Sequence, residues 1–148
     1  MRSTLVYLGY SIAWKIIRLM PENLAYQLAK RGADYIYKKN GKGVQRLRTN
    51  YGICQPQLIA PQLEDLVQRG LRSYTRYWVD TFRMPSWSRE EILERVEVIN
   101  QHLLTDPLDN GRGVVVSLPH AGNWDHAGAY FAALGYPVVS VAEHLEPE

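Results

Sequence analysis

Apolar and polar positions change their period along this chain. The first twenty residues are predominantly apolar: Ser3 to Trp14 carries no charge, and Lys15 and Arg18 follow. Wound as a helix, Thr4, Ser11, Lys15, Arg18 and Glu22 form one narrow polar stripe, while Leu5, Val6, Leu8, Ile12, Ile16, Ile17 and Leu19 cover the rest, with Tyr7, Tyr10 and Trp14 among them. Pro21 and Glu22 suit the first turn of a second helix running to about Lys39, with Leu24, Leu28 and Tyr35 along one side. Gly41 and Gly43 end it, and a short helical piece bearing Arg46 and Arg48 precedes a loop from Gly52 to Pro56. Helical spacing is clearest from Pro61 to about Phe82, where Leu63, Leu66, Val67, Leu71, Tyr74, Trp78 and Phe82 form a core stripe that Pro85 stops. Ser88 followed by Glu91 has the capping-box spacing, so a further helix begins near Arg89. A short strand over Val96–Ile99, a helix over Gln101–Leu108 and a turn at Asp109–Gly111 follow.

Then the pattern shortens. Gly113–Pro119 is a run of branched apolar residues that reads as a buried strand, Asn123–Leu134 as a helix, and Pro137–Ala142 as a second buried strand. Strand, helix, strand is a βαβ unit with parallel strands. The expected fold class is therefore α/β: amino-terminal helices, then the start of a mainly parallel sheet flanked by helices. Two parallel strands seldom stand alone, so residues 1–148 are expected to be the front part of a longer enzyme. Within it, 1–50 forms basic, apolar helices, 61–108 is helical, and 113–142 carries the βαβ unit.

Composition adds modest limits. An apolar share of 46% and a charged share of 22% exclude wholesale disorder and suit one modest domain. The single cysteine, Cys54, cannot form an internal disulfide and has no neighbouring base in sequence. Charge is more informative. Met1–Arg48 holds ten Lys and Arg against two acids, a net +8, and the remaining residues hold seven against thirteen, a net −6. Such asymmetry points to an anionic partner for the front third: membrane phospholipid, a phosphorylated cofactor or nucleic acid. A solvated basic face without a partner is the alternative. No recognised nucleic-acid-binding fold accompanies the charge. Twelve uncharged residues fall short of the roughly 20 that span a bilayer, and no cleavage site marks a secretory signal. An apolar helix with interleaved Tyr and Trp and basic flanks belongs either in a protein core or at a membrane surface.

The candidate chemistry lies in "LPHAGNWDHAG", residues 118–128. Ligands of open α/β sheets gather at the carboxyl ends of strands. His120 follows the first expected strand and Glu143 ends the second, so adjacent parallel strands would bring both to one rim. His120 and Asp125 are five apart and could not meet on one continuous helix; a helix starting at Gly122–Asn123 lets them approach. Asn123 then serves as N-cap and Asp125 falls in the first turn. Asp125 has two roles open to it, orienting His120 as in an acid–base dyad or satisfying the turn's backbone. His126 is expected on the helix surface, and His102 and His144 have no companions that suggest a site. His120, Asp125 and His126 lack a one-face spacing and a Cys partner, so no metal is expected.

"GRGVVVSLPHAGNWDHAG" resembles the H-x4-D/E segment of the bacterial lipid A lauroyl/myristoyl acyltransferase family, and looks closest to its actinobacterial branch, the phosphatidylinositol mannoside acyltransferases. There "HSGNWD" follows a similar strand, and the next ends in "VAE" before a Leu-x-Pro-Glu segment, here Val141–Glu148. "SYTRYWVDTFRMP", residues 73–85, is similar to that branch's "SYARYWxExFRLP". The resemblance implies transfer of a long acyl chain from acyl-CoA to a sugar hydroxyl of a mannosylated phosphatidylinositol, or alternatively of a lipid A precursor. It implies His120 as general base with Asp125 or a carboxylate from later in the family's length as its partner, and Asn123 and Glu143 as substrate-binding residues. No cofactor is implied beyond the acyl-CoA donor. The basic helices would hold the enzyme peripherally at the anionic cytoplasmic face of the plasma membrane. A non-catalytic membrane-surface fragment is the contrasting expectation.

Overall fold

Every regular element of the computed structural model is helical among the residues it describes, 2–119 and 121–140. In order these are α1 (Arg2–Leu19), α2 (Glu22–Lys39), α3 (Lys42–Cys54), α4 (Ala60–Arg83), a 3-10 turn (Met84–Ser86), α5 (Arg89–Glu94), α6 (His102–Asp109) and α7 (Trp124–Leu134). Side chains of residues 2–6, 8 and 10 in α1 lie outside the description. The chain divides into two compact units, one of Leu8–Arg83 and the other of Met84–Glu148 with Met1–Tyr7.

In the first unit α2 and α4 run antiparallel, as their side-chain pairs show: Tyr26 meets Asp80, Asp34 meets Arg72, and Tyr37 meets Glu64. Ala25 and Ala33 of α2, Val67 and Val79 of α4 and Val44 of α3 are buried. Small side chains on α2 let the two backbones approach closely, and the branched valines fill the gap with few rotamers to lose. The core stripe expected on α4 is thus displaced. Val67 is fully buried and Val79 joins it, while Tyr74 and Trp78 of the expected stripe are exposed. Trp78 instead belongs to an aromatic row, with ring centroids 6.2 Å from Tyr74 and 5.7 Å from Phe82, and Phe82 stacks on Trp14 of α1 at 5.9 Å.

Polar groups tie the helix ends. Arg48 of α3 donates from Nε and Nη2 to the two Glu64 oxygens (2.6 and 3.0 Å), and from Nη1 to Asn40 Oδ1 (2.9 Å). Asn40 ends α2 in the left-handed region, φ 46°, which Asn tolerates better than most residues. One guanidinium therefore joins three helices. Arg83 closes α1 by donating to the carbonyls of Ile17 (3.0 Å) and Met20 (2.6 Å), acceptors that the end of a helix leaves unpaired. These bonds shift the titrations. The hydrogen bonds from Arg48 and then Tyr37 hold the Glu64 carboxyl below its usual range, and the bond from Arg72 does the same for Asp34. Burial, reinforced by donation to Asp80, pushes the Tyr26 phenol up to about 12.

The second unit corrects the α/β expectation. Among the described residues there is no strand: Val96–Ile99, Gly113–Pro119 and the described part of Pro137–Ala142 are irregular. Nor are these runs buried, since Val115 is 100% exposed and Val139 94%. The physical reason is that a strand is made by its neighbour. Branched residues favour a pleated surface, but without ladder bonds to a second strand the preference has nothing to act on. Helices need no such partner, because their hydrogen bonds close within the segment. Ser88 and Glu91 make both bonds of the expected capping box, at 3.1 and 2.7 Å, and α5 begins where they dictate.

Two measurements test these packing claims. Val67→Ala should lower unfolding free energy by about 2 kcal/mol in urea titration, against no measurable change for Val139→Ala. Acid denaturation should report the depressed carboxyls. Their stabilisation is present above the ordinary carboxylate values of 3.8 for Asp34 and 4.5 for Glu64, and is lost as pH falls through the lower folded values. Asp34→Asn with Glu64→Gln should therefore lower the melting temperature at pH 7 and flatten its fall below about pH 4.5.

Candidate functional site

The polar turn is built by the start of α7. Gly122 adopts φ 67°, a conformation that costs an L side chain strain, and turns the chain into the helix. Asn123 follows as N-cap: its Oδ1 accepts from the backbone N–H of His126 at 3.0 Å, the first-turn donor that α7 cannot satisfy itself. The amide's other end, Nδ2, is buried and has no hydrogen-bond partner among the described residues. Asp125 is half-buried in the first turn, where the helix dipole favours a carboxylate. Gly135, at φ 99°, closes the helix, its N–H reaching the Ala132 carbonyl at 3.0 Å.

Three contacts fix α7 against α5 and α6. His126 Nε2 lies 3.2 Å from the Ile92 carbonyl; a carbonyl can only accept, so Nε2 carries the proton. Arg89 Nε donates to the Ala133 carbonyl at 2.6 Å, and Tyr130, buried, donates to Gln101 Oε1 at 2.7 Å. The His126 ring also packs on Trp87 (centroids 5.2 Å apart), whose own face carries the Arg95 guanidinium 4.3 Å from the ring centre. His126 is therefore half-buried and packs α7 against α5, where the sequence pattern put it on the surface. The pattern missed it because the 34 positions between His126 and Ile92 carry no periodicity linking them.

Of the four site residues expected from sequence, Asn123 and Asp125 are brought together at the amino end of α7. His120 and Glu143 lie outside the described residues, as do His144 and the "VAE" segment. Among the described residues no three His, Cys, Asp or Glu side chains cluster as metal ligands. Cys54, the last residue of α3, is exposed.

The family model for bacterial lipid A biosynthesis acyltransferases matches residues 1–148. The chain belongs to that family. This acyltransferase-family chain is 40% identical to a phosphatidylinositol mannoside acyltransferase of Mycolicibacterium smegmatis over 141 residues, 95% of its own length and 46% of the relative's. A protein of the same name from Mycobacterium tuberculosis, strain CDC 1551 / Oshkosh, is 32% identical over 144 residues, again 95% of this chain and 44% of the relative. The acyltransferase-family chain thus spans about half the length of the curated relatives it matches. No solved structure gives a significant match.

Asn123→Ala should destabilise α7 by about 1 kcal/mol, while Asn123→Ser should recover most of the loss. Faster hydrogen exchange at the His126 amide in the alanine variant is the local readout.

Proposed function

We propose that the full polypeptide is a peripheral membrane acyltransferase that moves a fatty acyl chain from acyl-CoA to a sugar hydroxyl of a mannosylated phosphatidylinositol. The observation that carries this reading is the match of the whole chain to the acyltransferase family together with the likeness to mycobacterial relatives that are named for that acceptor. In this mechanism His120 is the general base. A sugar hydroxyl is barely ionised near neutrality, so its proton must leave as the oxygen attacks the thioester carbonyl; His120 takes it, and the CoA thiolate departs. Neutral imidazole is required for that step. Asp125 or a carboxylate further along the family's length partners the histidine. Asn123 and Glu143 take part in substrate binding, Asn123 with its Oδ1 already committed to the cap of α7.

The front helices suit the remaining part of the proposal. Ile12, Trp14, Ile16 and Leu19 of α1 are exposed alongside Lys15 and Arg18, and Arg31, Lys38 and Lys39 of α2 are exposed as well. Apolar and aromatic side chains beside cations are what an interfacial helix offers to lipid and to anionic headgroups. No helix among the described residues is long and apolar enough to cross a membrane. We place the enzyme at the cytoplasmic face of the plasma membrane, where acyl-CoA is available.

The test uses the full polypeptide with acyl-CoA and two acceptors in parallel, a phosphatidylinositol mannoside and a lipid A precursor. His120→Ala should cut transfer by about 10²–10⁴ while binding to anionic vesicles is kept. Undiminished turnover in His120→Ala removes the base from the mechanism. Preference for the lipid A precursor would reassign the acceptor.

A further inference from the structure

The antiparallel register of α2 and α4 sets Tyr26, Lys30 and Asp34 of one helix, four residues apart, against Arg72, Arg76 and Asp80 of the other. The two carboxylates sit at opposite ends of this stripe. Asp80 accepts from Tyr26 at 2.6 Å, and Asp34 accepts from Arg72 Nε and Nη2 at 2.7 and 3.1 Å. Between them opens a cavity of about 250 Å³ lined by Tyr26, Ala29, Lys30, Arg72 and Arg76. Its charged lining is three cations and no acid.

Each cation keeps donors to spare. A guanidinium has five N–H groups, and Arg72 uses two on Asp34. Arg76 stands 3.8 Å from Asp80, beyond hydrogen-bond length, with its guanidinium 5.1 Å from the centre of the Tyr26 ring. Lys30 is exposed and makes no ion pair among the described residues. Ala29 adds no bulk, so the space stays open many times beyond what one water needs. Asp34 and Asp80 offset two of the three charges from the ends of the stripe and leave one positive charge in excess at the recess. An anion with several acceptor oxygens offsets that excess.

We propose that this recess is a binding site for a phosphate group, held by Arg72 and Arg76 with Lys30 completing the charge. Arg72 is held in place by Asp34, so it loses little freedom on binding, and Arg76 lies over the Tyr26 ring beside it. A phosphate offers a tetrahedral set of oxygens to donors converging from two helices, which a planar carboxylate matches less well. The phosphate can belong to a lipid headgroup or to a soluble ester. The site does not depend on acyl transfer, and its test does not read activity.

The full polypeptide is titrated calorimetrically with inorganic phosphate at fixed ionic strength. One saturable site is expected, weakened about tenfold or more by Lys30→Gln and by Arg76→Gln. Lys42→Gln, the same change of charge on an exposed lysine outside the recess, should alter it less than twofold. Lys30 acts on Asp34 through its charge alone and makes no ion pair at short distance among the described residues, so its variant keeps the fold, which circular dichroism checks. Displacement of phosphate by phosphatidylinositol in phosphatidylcholine vesicles assigns a lipid source, and displacement by CoA a soluble ester; either supports the site. Absence of saturable binding, equal weakening in Lys42→Gln, or bound phosphate that neither competitor displaces would overturn it.

Discussion

Arg48 holds three helices with one planar group. Its fork covers both oxygens of Glu64 on α4, its third nitrogen reaches the Asn40 side chain at the end of α2, and its own backbone belongs to α3. Such a bidentate pair fixes direction as well as distance, which a lysine's single ammonium could not. With that end set, α2 and α4 have one antiparallel register in which Ala25 and Ala33 face the valines. The row of tyrosine, arginine and carboxylate contacts outside the alanines then falls into place. The ion pair adds direction to a register in which the small buried side chains allow the close approach of the two helices.

The second unit relies on backbone groups instead. Its helices are short, six, eight and eleven residues, and isolated helices of that length are marginal in water. Caps and cross-links carry them: Ser88 with Glu91 at α5, Asn123 at α7, Arg89 on the Ala133 carbonyl and His126 on the Ile92 carbonyl. The turn that bears the candidate chemistry is therefore attached to a helix whose first residues are held by its own cap. That suits a site, because positioning groups on a fixed helix start costs nothing further at the moment of reaction.

Charge is handled differently at the two places of interest. Around Glu64 and Asp34 each carboxylate has a cation, and the pair is nearly self-sufficient. Around Lys30 the cations outnumber the acids within reach, and the surplus is kept open to solvent. The +8 of the first 48 residues is consequently not uniform. Arg48 is committed to structure, whereas Lys15, Arg18, Lys30, Lys38 and Lys39 remain outward.

The sequence by itself determined most of the helices, although the loop expected from Gly52 is displaced, because α3 runs on through Gly52 to Cys54. Pro21, the Ser88–Glu91 spacing, Asn123 and Gly135 act over three or four residues, and local bonds of that span form wherever the chain goes. It also carried the family resemblance in the 118–128 and 73–85 segments. It did not determine strands, because Gly113–Pro119 has the composition for a ladder but a ladder needs a second backbone. Nor could it tell that Val79 rather than Trp78 enters the core, that His126 turns inward to Ile92, or that Lys30 meets Arg72 and Arg76 across a helix pair. Those depend on which face of one helix touches which face of another. Only tertiary packing decides that, since residues 34 to 54 positions apart share no local geometry until the helices meet.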